Sequence, residues 1–207
     1  VNDLAVSGAR PLGLTGAFIL EEGLELEDLA QQVADLQRTA EEAGVEILAA
    51  DTKVVGAGAA DGMFIITSGV GEPFPGVKIG SNLARPGDAV IVSGTMGDHG
   101  LCVMAARAGL PLDPPIESDC APLATMVEAL LQAIGPQVRC LRDPTRGGLS
   151  ATLNEIARDS GVRIEVQEED IPVSHTVSRA CELLGLSALD AANEGKIVAV
   201  VAAEAVE

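Results

Sequence analysis

Hydrophobic residues recur at two different spacings along this chain, and the spacing separates predicted helices from predicted strands. Between positions 25 and 43, leucine, valine and alanine return every three or four residues and Gly44 follows as a cap, which predicts an amphipathic helix. Short apolar runs bounded by turn residues indicate strands. The predicted helices are 1–5, 25–43, 101–108, 118–134, 149–159 and 173–184. The predicted strands are 17–20, 46–50 with 54–55, 63–70, 89–93, 138–141, 162–166 and 197–201.

The order of these elements indicates an α/β or α+β fold, because strands and helices alternate through most of the chain. Residues 71–86 hold three prolines and three glycines with little periodicity, which is typical of a connection between domains. We therefore expect an N-terminal domain over 1–80 and a C-terminal domain over 86–207, with the boundary between 76 and 86.

The charge of the chain excludes two classes of partner. Thirty-one acidic residues against thirteen basic ones give a net charge of −18. Such a surface repels phosphate backbones and anionic lipid, so we expect neither nucleic-acid nor membrane binding. No apolar run is long enough to cross a bilayer. An anionic ligand would have to be held by a local metal ion, by glycine-rich backbone or by a few chosen cations.

The cysteines and histidines do not form a recognisable metal or redox motif. Four cysteines lie far apart with no C-x-x-C pair, so we expect reduced core cysteines in a cytoplasmic protein. His99 lies in a glycine turn and is expected to form local hydrogen bonds. His175 lies at a helix start, where we expect a surface or capping role. Two isolated histidines do not make a metal site. The four cysteines are Cys102, Cys120, Cys140 and Cys181.

Four short polar clusters interrupt the apolar elements, at 2–3, 51–53, 142–148 and 193–196. We interpret Asp51 as the end of a buried strand, where open α/β sheets place their chemistry. Magnesium prefers oxygen ligands, so Asp3 and Asp51 are candidates for one shared ion. Asp3 is explained equally well as a helix cap, and 51–53 as a solvated turn.

Two further features can bind an anion or move a proton. The glycine turns at 94–100 and 147–148 each stand between a strand and a helix, where backbone N–H groups can meet an anion. Neither turn matches GxxxxGK[ST] or GxGxxG. Lys53 and Glu194 are candidates for proton transfer if burial shifts their pKa values. The alternative is a structural ion pair between them.

Six stretches of the chain, taken together and in order, resemble the HypE family of hydrogenase maturation factors, the carbamoyl dehydratases. They are VNDLAVSGARP, DTKVV, SGTMGDHG, ESDCAPL, LRDPTRGGL and ANEGK. More widely, the chain is similar to the ATP-binding aminoimidazole ribonucleotide synthetase (PurM-like) superfamily, which includes selenophosphate synthetase and thiamine-phosphate kinase. The resemblance covers almost the whole chain and implies a PurM-like two-domain fold.

The resemblance implies an unusual dehydration that consumes ATP and uses Mg²⁺. ATP phosphorylates the oxygen of a carboxamide carried on a C-terminal cysteine, and loss of phosphate and protons leaves a thiocyanate. It further implies a homodimer whose N-terminal domains pair through their sheets. The implied partners are the carbamoyltransferase and the iron-cyanide scaffold proteins of hydrogenase maturation.

The same resemblance implies roles for particular residues. Lys53 and Glu194 fall where the family carries its proton-transfer residues, and Asp3 and Asp51 fall at magnesium positions. The residues at nucleotide-binding positions are Asp3, Asp51, Thr52, Asp143, Thr145, Gly147 and Gly148.

The chain departs from the family at both ends. Family members begin with a further segment and end with a tail closing in a Pro-Arg-Ile-Cys-like sequence, whereas this sequence runs from Val1 to Glu207. We therefore expect the chain to be a truncated core that lacks the substrate-bearing thiol and is inactive by itself. The alternatives are another PurM-like ATP enzyme, such as a small-molecule kinase, or an acidic, non-catalytic docking module.

An apolar run points to self-association. Met63, Phe64, Ile65 and Ile66 are consecutive in a predicted strand, and successive strand residues point to opposite faces of a sheet. One covered face needs only alternate apolar residues. We therefore expect the strand 63–70 to help bury a subunit interface.

Overall fold

The computed structural model describes residues 1–206, which form six α-helices and six strands in two three-stranded sheets. The helices are α1 (Asn2–Val6), α2 (Leu26–Glu42), α3 (Asp98–Ala108), α4 (Ala124–Ile134), α5 (Gly148–Ser160) and α6 (His175–Leu184). The strands are β1 (Ala9–Glu21), β2 (Glu46–Val55), β3 (Met63–Pro73), β4 (Ala89–Val92), β5 (Val138–Arg142) and β6 (Val198–Val201). None of the helices in 1–206 has the length and apolar character needed to span a bilayer.

The N-terminal sheet has the order β2-β1-β3, with β1 parallel to β2 and antiparallel to β3. Strand β1 begins at Ala9, so the prediction of a strand over 17–20 was too short. Pro11 pairs with β3, and Gly13 and Gly16 pair with strands on both sides, which keeps this stretch extended. Gly13 also leaves the space that the Leu48 side chain fills.

Strand β2 runs without a break through Asp51, Thr52 and Lys53, so the interpretation of these residues as a strand end was wrong. They pair in register with residues 17–19 of β1. β2 lies at the sheet edge and is largely exposed, so polar side chains can occupy it without a burial cost.

The two faces of this sheet differ. Leu14 lies on the face that α2 covers, where it packs with Ala40 and Val45. Residues one position along a strand point to the other face. Ala17, Asp51 and Ile66 are aligned across the three strands and share that other face, which we call the open face. Ile66 is 50% exposed there.

The C-terminal sheet has the order β4-β6-β5, and both pairs are antiparallel. All four residues of β6 are buried. The predicted strand at 162–166 was wrong, because this stretch pairs with no strand within the described chain. Its alternating Val162 and Ile164 are partly buried by packing beside Ile156 of α5 and neighbouring core residues instead.

Two helix starts also differ from the prediction. Helix α3 begins at Asp98 rather than 101, and α4 begins at Ala124 rather than at a cap on Ser118 or Asp119. Asp119 does not cap α4, because its Oδ1 accepts the Glu194 backbone N–H at 2.9 Å. The predicted helix at 173–184 begins at His175, with Ser174 as its N-cap.

The connection between the sheets is packed rather than free. β3 extends to Pro73, and Phe74, Val77 and Ile79 then pack against a core cluster. That cluster joins Ala5 and Val6 of α1 to residues of α4, β5 and β6. α1 is therefore anchored in the C-terminal core although it precedes β1. The division of the chain at 76–86 stays a prediction.

Candidate active site in the cleft between the two sheets

A cleft of about 520 Å³ lies where α1 and α2 meet the loops of the C-terminal domain. Four carboxylate side chains line it: Asp3 on α1, Glu42 on α2, Asp143 after β5, and Glu194 before β6. Glu42 is already paired with Arg38 of the same helix at 3.0 Å, which leaves Asp3, Asp143 and Glu194. They come from separate parts of the sequence, and the packing of α1 into the C-terminal core brings them together. This cleft is the candidate active site.

Asp3 and Asp143 form the acidic centre of the cleft. Burial raises the pKa of Asp143, and the negative charge of Asp3 raises it further, while a backbone hydrogen bond and Arg142 oppose the shift. Ionised Asp143 is therefore held at an electrostatic cost in the absence of a cation. A pair of carboxylates in this state fits a hard divalent cation, which would neutralise both charges.

The loop before α5 has a shape that only glycine permits at one position. Gly148 has φ +60, and a Cβ there would contact the carbonyl oxygens of Leu189 and Ala191. The chain turns through Thr145, whose carbonyl accepts the Gly148 N–H at 3.1 Å. This close approach sets the start of α5 against residues 189–191, and Thr145, Gly147 and Gly148 follow Asp143 in the same turn.

A buried amide ties the same loop to the Glu194 segment. Asn193 is fully buried, and its Oδ1 accepts the Gly97 N–H at 2.7 Å while its Nδ2 donates to the Pro144 carbonyl at 3.2 Å. Three loops therefore meet at one side chain. Because a buried amide without partners is costly, this residue fixes the relative positions of the loops.

The backbone of Glu194 is held on both sides. Its N–H donates to Asp119 Oδ1, and its carbonyl accepts from Asn2 Nδ2 at 3.0 Å. Lys196 Nζ lies 3.2 Å from Asp119 Oδ2 and neutralises that buried carboxylate. The Glu194 side chain itself stays 42% exposed. The backbone is thus fixed while the carboxylate can reach a ligand.

The three β2 residues predicted for the site, at 51–53, do not line the cleft of their own chain. Asp51 and Lys53 are aligned with the open face, whereas Thr52 faces the groove between β2 and α2. Thr67, which lines the cleft with Asp3, is one position out of phase with Ile66 and so faces away from Asp51. The structure therefore brings Asp3 to Asp143 and not to Asp51.

The predicted proton carriers are likewise apart. Glu194 lines the cleft, and Lys53 extends from the open face of the sheet. Among the ion pairs within residues 1–206, Glu194 is paired only with His99, at 4.0 Å. The alternative of a Lys53–Glu194 ion pair within one chain therefore finds no support.

The sequence reasoning missed a polar group at the rim of the cleft. Cys140 and Cys181 are core residues as expected, and burial raises the pKa of Cys140 to about 11. Cys120 is instead exposed and lines the cleft. His99 bonds locally as expected, with Nδ1 2.9 Å from Ser118 Oγ. The available signal was that Cys120 follows Ser118 and Asp119 outside any apolar repeat.

The part of the chain that the structure describes holds no group of three or more His, Cys, Asp and Glu side chains arranged around a metal ion. Magnesium in nucleotide sites commonly uses one or two carboxylates and takes its other ligands from phosphate and water. The Asp3–Asp143 pair meets that smaller requirement.

Family models identify the class of protein. The model of the AIR synthase related protein N-terminal domain matches residues 1–72, and that of the C-terminal domain matches residues 85–207. The chain therefore belongs to the AIR synthase related family, and the expected two-domain PurM-like fold is confirmed.

Within that family, the chain is most informatively compared with carbamoyl dehydratases. It is 50% identical over 207 residues to carbamoyl dehydratase HypE of Azotobacter vinelandii and 46% identical over 206 residues to that of Escherichia coli. These matches cover all of the chain but 60% and 61% of the relatives. The chain thus spans about three fifths of the length of the curated relatives it matches, and the expected resemblance to HypE is confirmed.

Solved structures give the same result. A HypE–HypF complex matches with a TM-score of 0.95 and 49% identity, covering 98% of this chain and 66% of that one. HypE in complex with ATP matches with a TM-score of 0.95 and 46% identity, covering 99% and 61%. Thiamine monophosphate kinase of Aquifex aeolicus, at 21% identity and a TM-score of 0.73 over 99% of this chain and 70% of its own, shares the fold.

Proposed function

We propose that this chain is the core of an ATP-dependent carbamoyl dehydratase, which converts a cysteine S-carboxamide to a thiocyanate. The observation that carries the proposal is the cleft, which gathers Asp3, Asp143 and Glu194 in a chain about half identical to enzymes of that name. The substrate is a carboxamide on a cysteine thiol that enters the cleft from outside the residues described.

The chemistry needs an activated oxygen and a base. The amide oxygen is a poor leaving group, and phosphorylation by ATP makes it a good one. The nitrogen then becomes acidic, and two protons leave as the C≡N bond forms. Glu194 is placed to take a proton in the cleft, because its backbone is fixed and its carboxylate is free.

The nucleotide and its metal fit the acidic centre. Asp3 and Asp143 would hold Mg²⁺, and the backbone of Thr145, Gly147 and Gly148 at the start of α5 would face the phosphates. The cation supplies charge neutralisation during phosphoryl transfer. HypE binds ATP in a solved complex, which supports the same ligand here.

A homodimer accounts for the residues of β2. Asp51 and Lys53 share the open face with Phe64 and Ile66, whose exposed fractions are 48% and 50%. Two copies that pair through this face would bury the apolar side chains. The pairing would also present Asp51 and Lys53 of one copy to the other, as a magnesium ligand and a second base.

The similarity of the chain to HypE also suggests its partners. HypE forms a complex with HypF, which supports a carbamoyltransferase as the partner of this chain in a cytoplasmic hydrogenase-maturation system. The iron-cyanide scaffold proteins would then receive the product of the dehydration.

Nucleotide binding tests the proposal directly. Mg²⁺ with ATP should raise the melting temperature of the chain, since a ligand that binds only the folded state stabilises it. Asp143→Asn should abolish most of that increase and Asp51→Asn should reduce it. Asp170→Asn, at a carboxylate beside a different cavity, is the matched control. A melting temperature unaffected by Mg²⁺ and ATP would favour the non-catalytic docking module instead.

The dehydration itself is tested in a polypeptide that also carries the carboxamide-bearing cysteine. Glu194→Ala and Lys53→Ala should each abolish thiocyanate formation, measured by mass spectrometry, while the melting temperature stays unchanged. Near wild-type rates in both variants would refute their assignment as bases. ATP-dependent phosphorylation of a small molecule without thiocyanate formation would indicate the kinase alternative.

A further inference from the structure

Three side chains at the rim of the cleft form a thiol cluster: Cys120, Ser118 and His99. His99 Nδ1 lies 2.9 Å from Ser118 Oγ and 3.7 Å from Cys120 Sγ. Ser118 Oγ lies 3.1 Å from Cys120 Sγ. The other ring nitrogen, Nε2, lies 4.0 Å from Glu194 Oε1. A thiol, an imidazole and a carboxylate are thus in contact in that order.

This order of groups is the one that activates a thiol for attack. The thiolate is the nucleophilic form of cysteine, and a neighbouring imidazole promotes it by taking the proton. A carboxylate on the far ring nitrogen orients the imidazole and stabilises its charged form. Here Glu194 is the carboxylate on that side of the ring, at an ion-pair distance of 4.0 Å, and Ser118 Oγ lies between the imidazole and the thiol.

Cys120 also lies where the carboxamide substrate of the proposed function would bind. It is exposed and lines the same cleft as Asp143 and Glu194, whereas Cys140 and Cys181 are buried in the core. A carboxamide placed for proton transfer to Glu194 therefore lies beside the thiol cluster, because one imidazole contacts both Glu194 and Cys120.

We propose that Cys120 is a nucleophilic thiol of the cleft that accepts a carboxamide group from a thiol-bound carboxamide, with His99 as its base. The proposal rests on the proposed function for the identity of the transferred group. Cys120 would then hold the carboxamide at the rim, next to Glu194, as a second attachment point within the enzyme.

The transfer is balanced without an oxidant or a further reactant. Cys120 Sγ attacks the carboxamide carbon of R–S–C(=O)NH₂ as His99 takes the thiol proton. The new S–C bond forms, the old S–C bond breaks, and the proton passes from His99 to the departing R–S⁻. The products are Cys120-S–C(=O)NH₂ and R–SH, so the reaction is a reversible exchange between two thiols.

The activation of the thiol is tested on the chain itself with potassium cyanate, whose acid form HN=C=O adds to a thiol to give the same S-carboxamide. Mass spectrometry of the digested protein gives a rate for each cysteine. At pH 7, Cys120 should react about tenfold faster than Cys102, a half-buried cysteine on α3, because Cys120 is exposed and His99 is placed to take its proton as the thiol attacks.

The role of His99 is tested with His99→Gln, which keeps a hydrogen-bonding side chain but cannot serve as the base. The Cys120 rate should fall to about the Cys102 rate, roughly tenfold, because no base remains beside the thiol. The rate at Cys102 reports whether the variant remains folded. Equal rates at the two cysteines in the wild-type chain, or no change in His99→Gln, would overturn the proposal.

The group transfer is tested with S-carbamoyl-N-acetylcysteine as the donor. We expect the carboxamide on Cys120 with release of an equal amount of N-acetylcysteine, no transfer in Cys120→Ser, and undiminished transfer in Cys102→Ser. A reactive Cys120 that takes no carboxamide from this donor would overturn the acceptor role and leave the proposed dehydration standing. Failure of Mg²⁺ and ATP to stabilise the chain would instead count against the proposed function and leave the thiol exchange standing.

Discussion

The two sheets of this protein are built to different degrees of enclosure. In the C-terminal sheet the central strand β6 is buried along its whole length, with Val198 and Val201 both at 0% exposure. In the N-terminal sheet the edge strands β2 and β3 are exposed over most of their length, and hydrophobic side chains such as Phe64 remain accessible.

This difference separates two ways of placing functional residues. The enclosed sheet fixes Asp143 and Glu194 through backbone contacts and buried hydrogen bonds, which need no second molecule. The open face carries Asp51 and Lys53 on a surface that one chain leaves uncovered. The first group should therefore be sensitive to packing changes inside the chain, and the second to changes in assembly.

The largest expected effect is a loss of stability when the packing around the enclosed C-terminal sheet is disrupted. Gly148→Ala would place a Cβ against the carbonyl oxygens of Leu189 and Ala191 at a backbone φ of +60. Backbone atoms cannot move aside cheaply, so we expect the free energy of unfolding to fall by more than about 3 kcal/mol, measured by urea denaturation.

The matched control is Gly161→Ala at the end of α5. Gly161 has nearly the same φ, +64, but nothing lies within 4 Å of the added Cβ. Its cost should be about 1 kcal/mol, which is the conformational penalty alone. Equal losses in the two variants would show that the close approach at Gly148 contributes nothing. Residues 189–191 would then be able to move aside for the added Cβ.

The next effect concerns the open face. If two copies pair through this face as proposed, Ile66→Lys should weaken their association by about a hundredfold or more, because an unpaired charge would be buried at the interface. Light scattering across a concentration series measures the change. Ile65→Lys is the control, since Ile65 pairs with Phe18 and points to the opposite face. A dimer that survives Ile66→Lys, or dissociates only in Ile65→Lys, would place the interface elsewhere.

The smallest expected effect concerns a turn at the edge of the N-terminal sheet. The backbone N–H groups of Gly62 and Gly58 donate to the Glu21 carboxylate and lower its pKa. A lowered folded-state pKa stabilises the turn at pH values above the ordinary value of 4.5, and this contribution is lost as pH falls through the lowered value. In the wild type we therefore expect the Gly62 amide to lose protection against hydrogen exchange, relative to its intrinsic rate, as pH falls through the lowered pKa of Glu21.

Glu21→Gln should remove this pH dependence and leave the overall melting temperature nearly unchanged. Glu22→Gln is the control, because within residues 1–206 the Glu22 side chain makes no such hydrogen bond to the turn. Identical pH profiles for wild type and Glu21→Gln would mean that the carboxylate does not hold the turn.

Local sequence determined the elements whose signals are local. The periodicity of α2 and the apolar runs of β5 and β6 predicted those elements to within about two residues, since burial of one face imposes the spacing. The polar clusters were also visible, and three of them, at Asn2–Asp3, 142–148 and 193–196, do meet at the cleft.

Tertiary structure decided whatever depends on a partner from elsewhere in the chain. Pro11 and Gly13 resemble strand breakers, yet pairing with β3 makes them part of β1, while the strand-like pattern at 162–166 found no such partner. Asp119 looked like a helix cap until Glu194, 75 residues away, proved to donate to it. The partner of Asp3 was likewise Asp143 rather than Asp51, because distances across the fold depend on packing that no local spacing records.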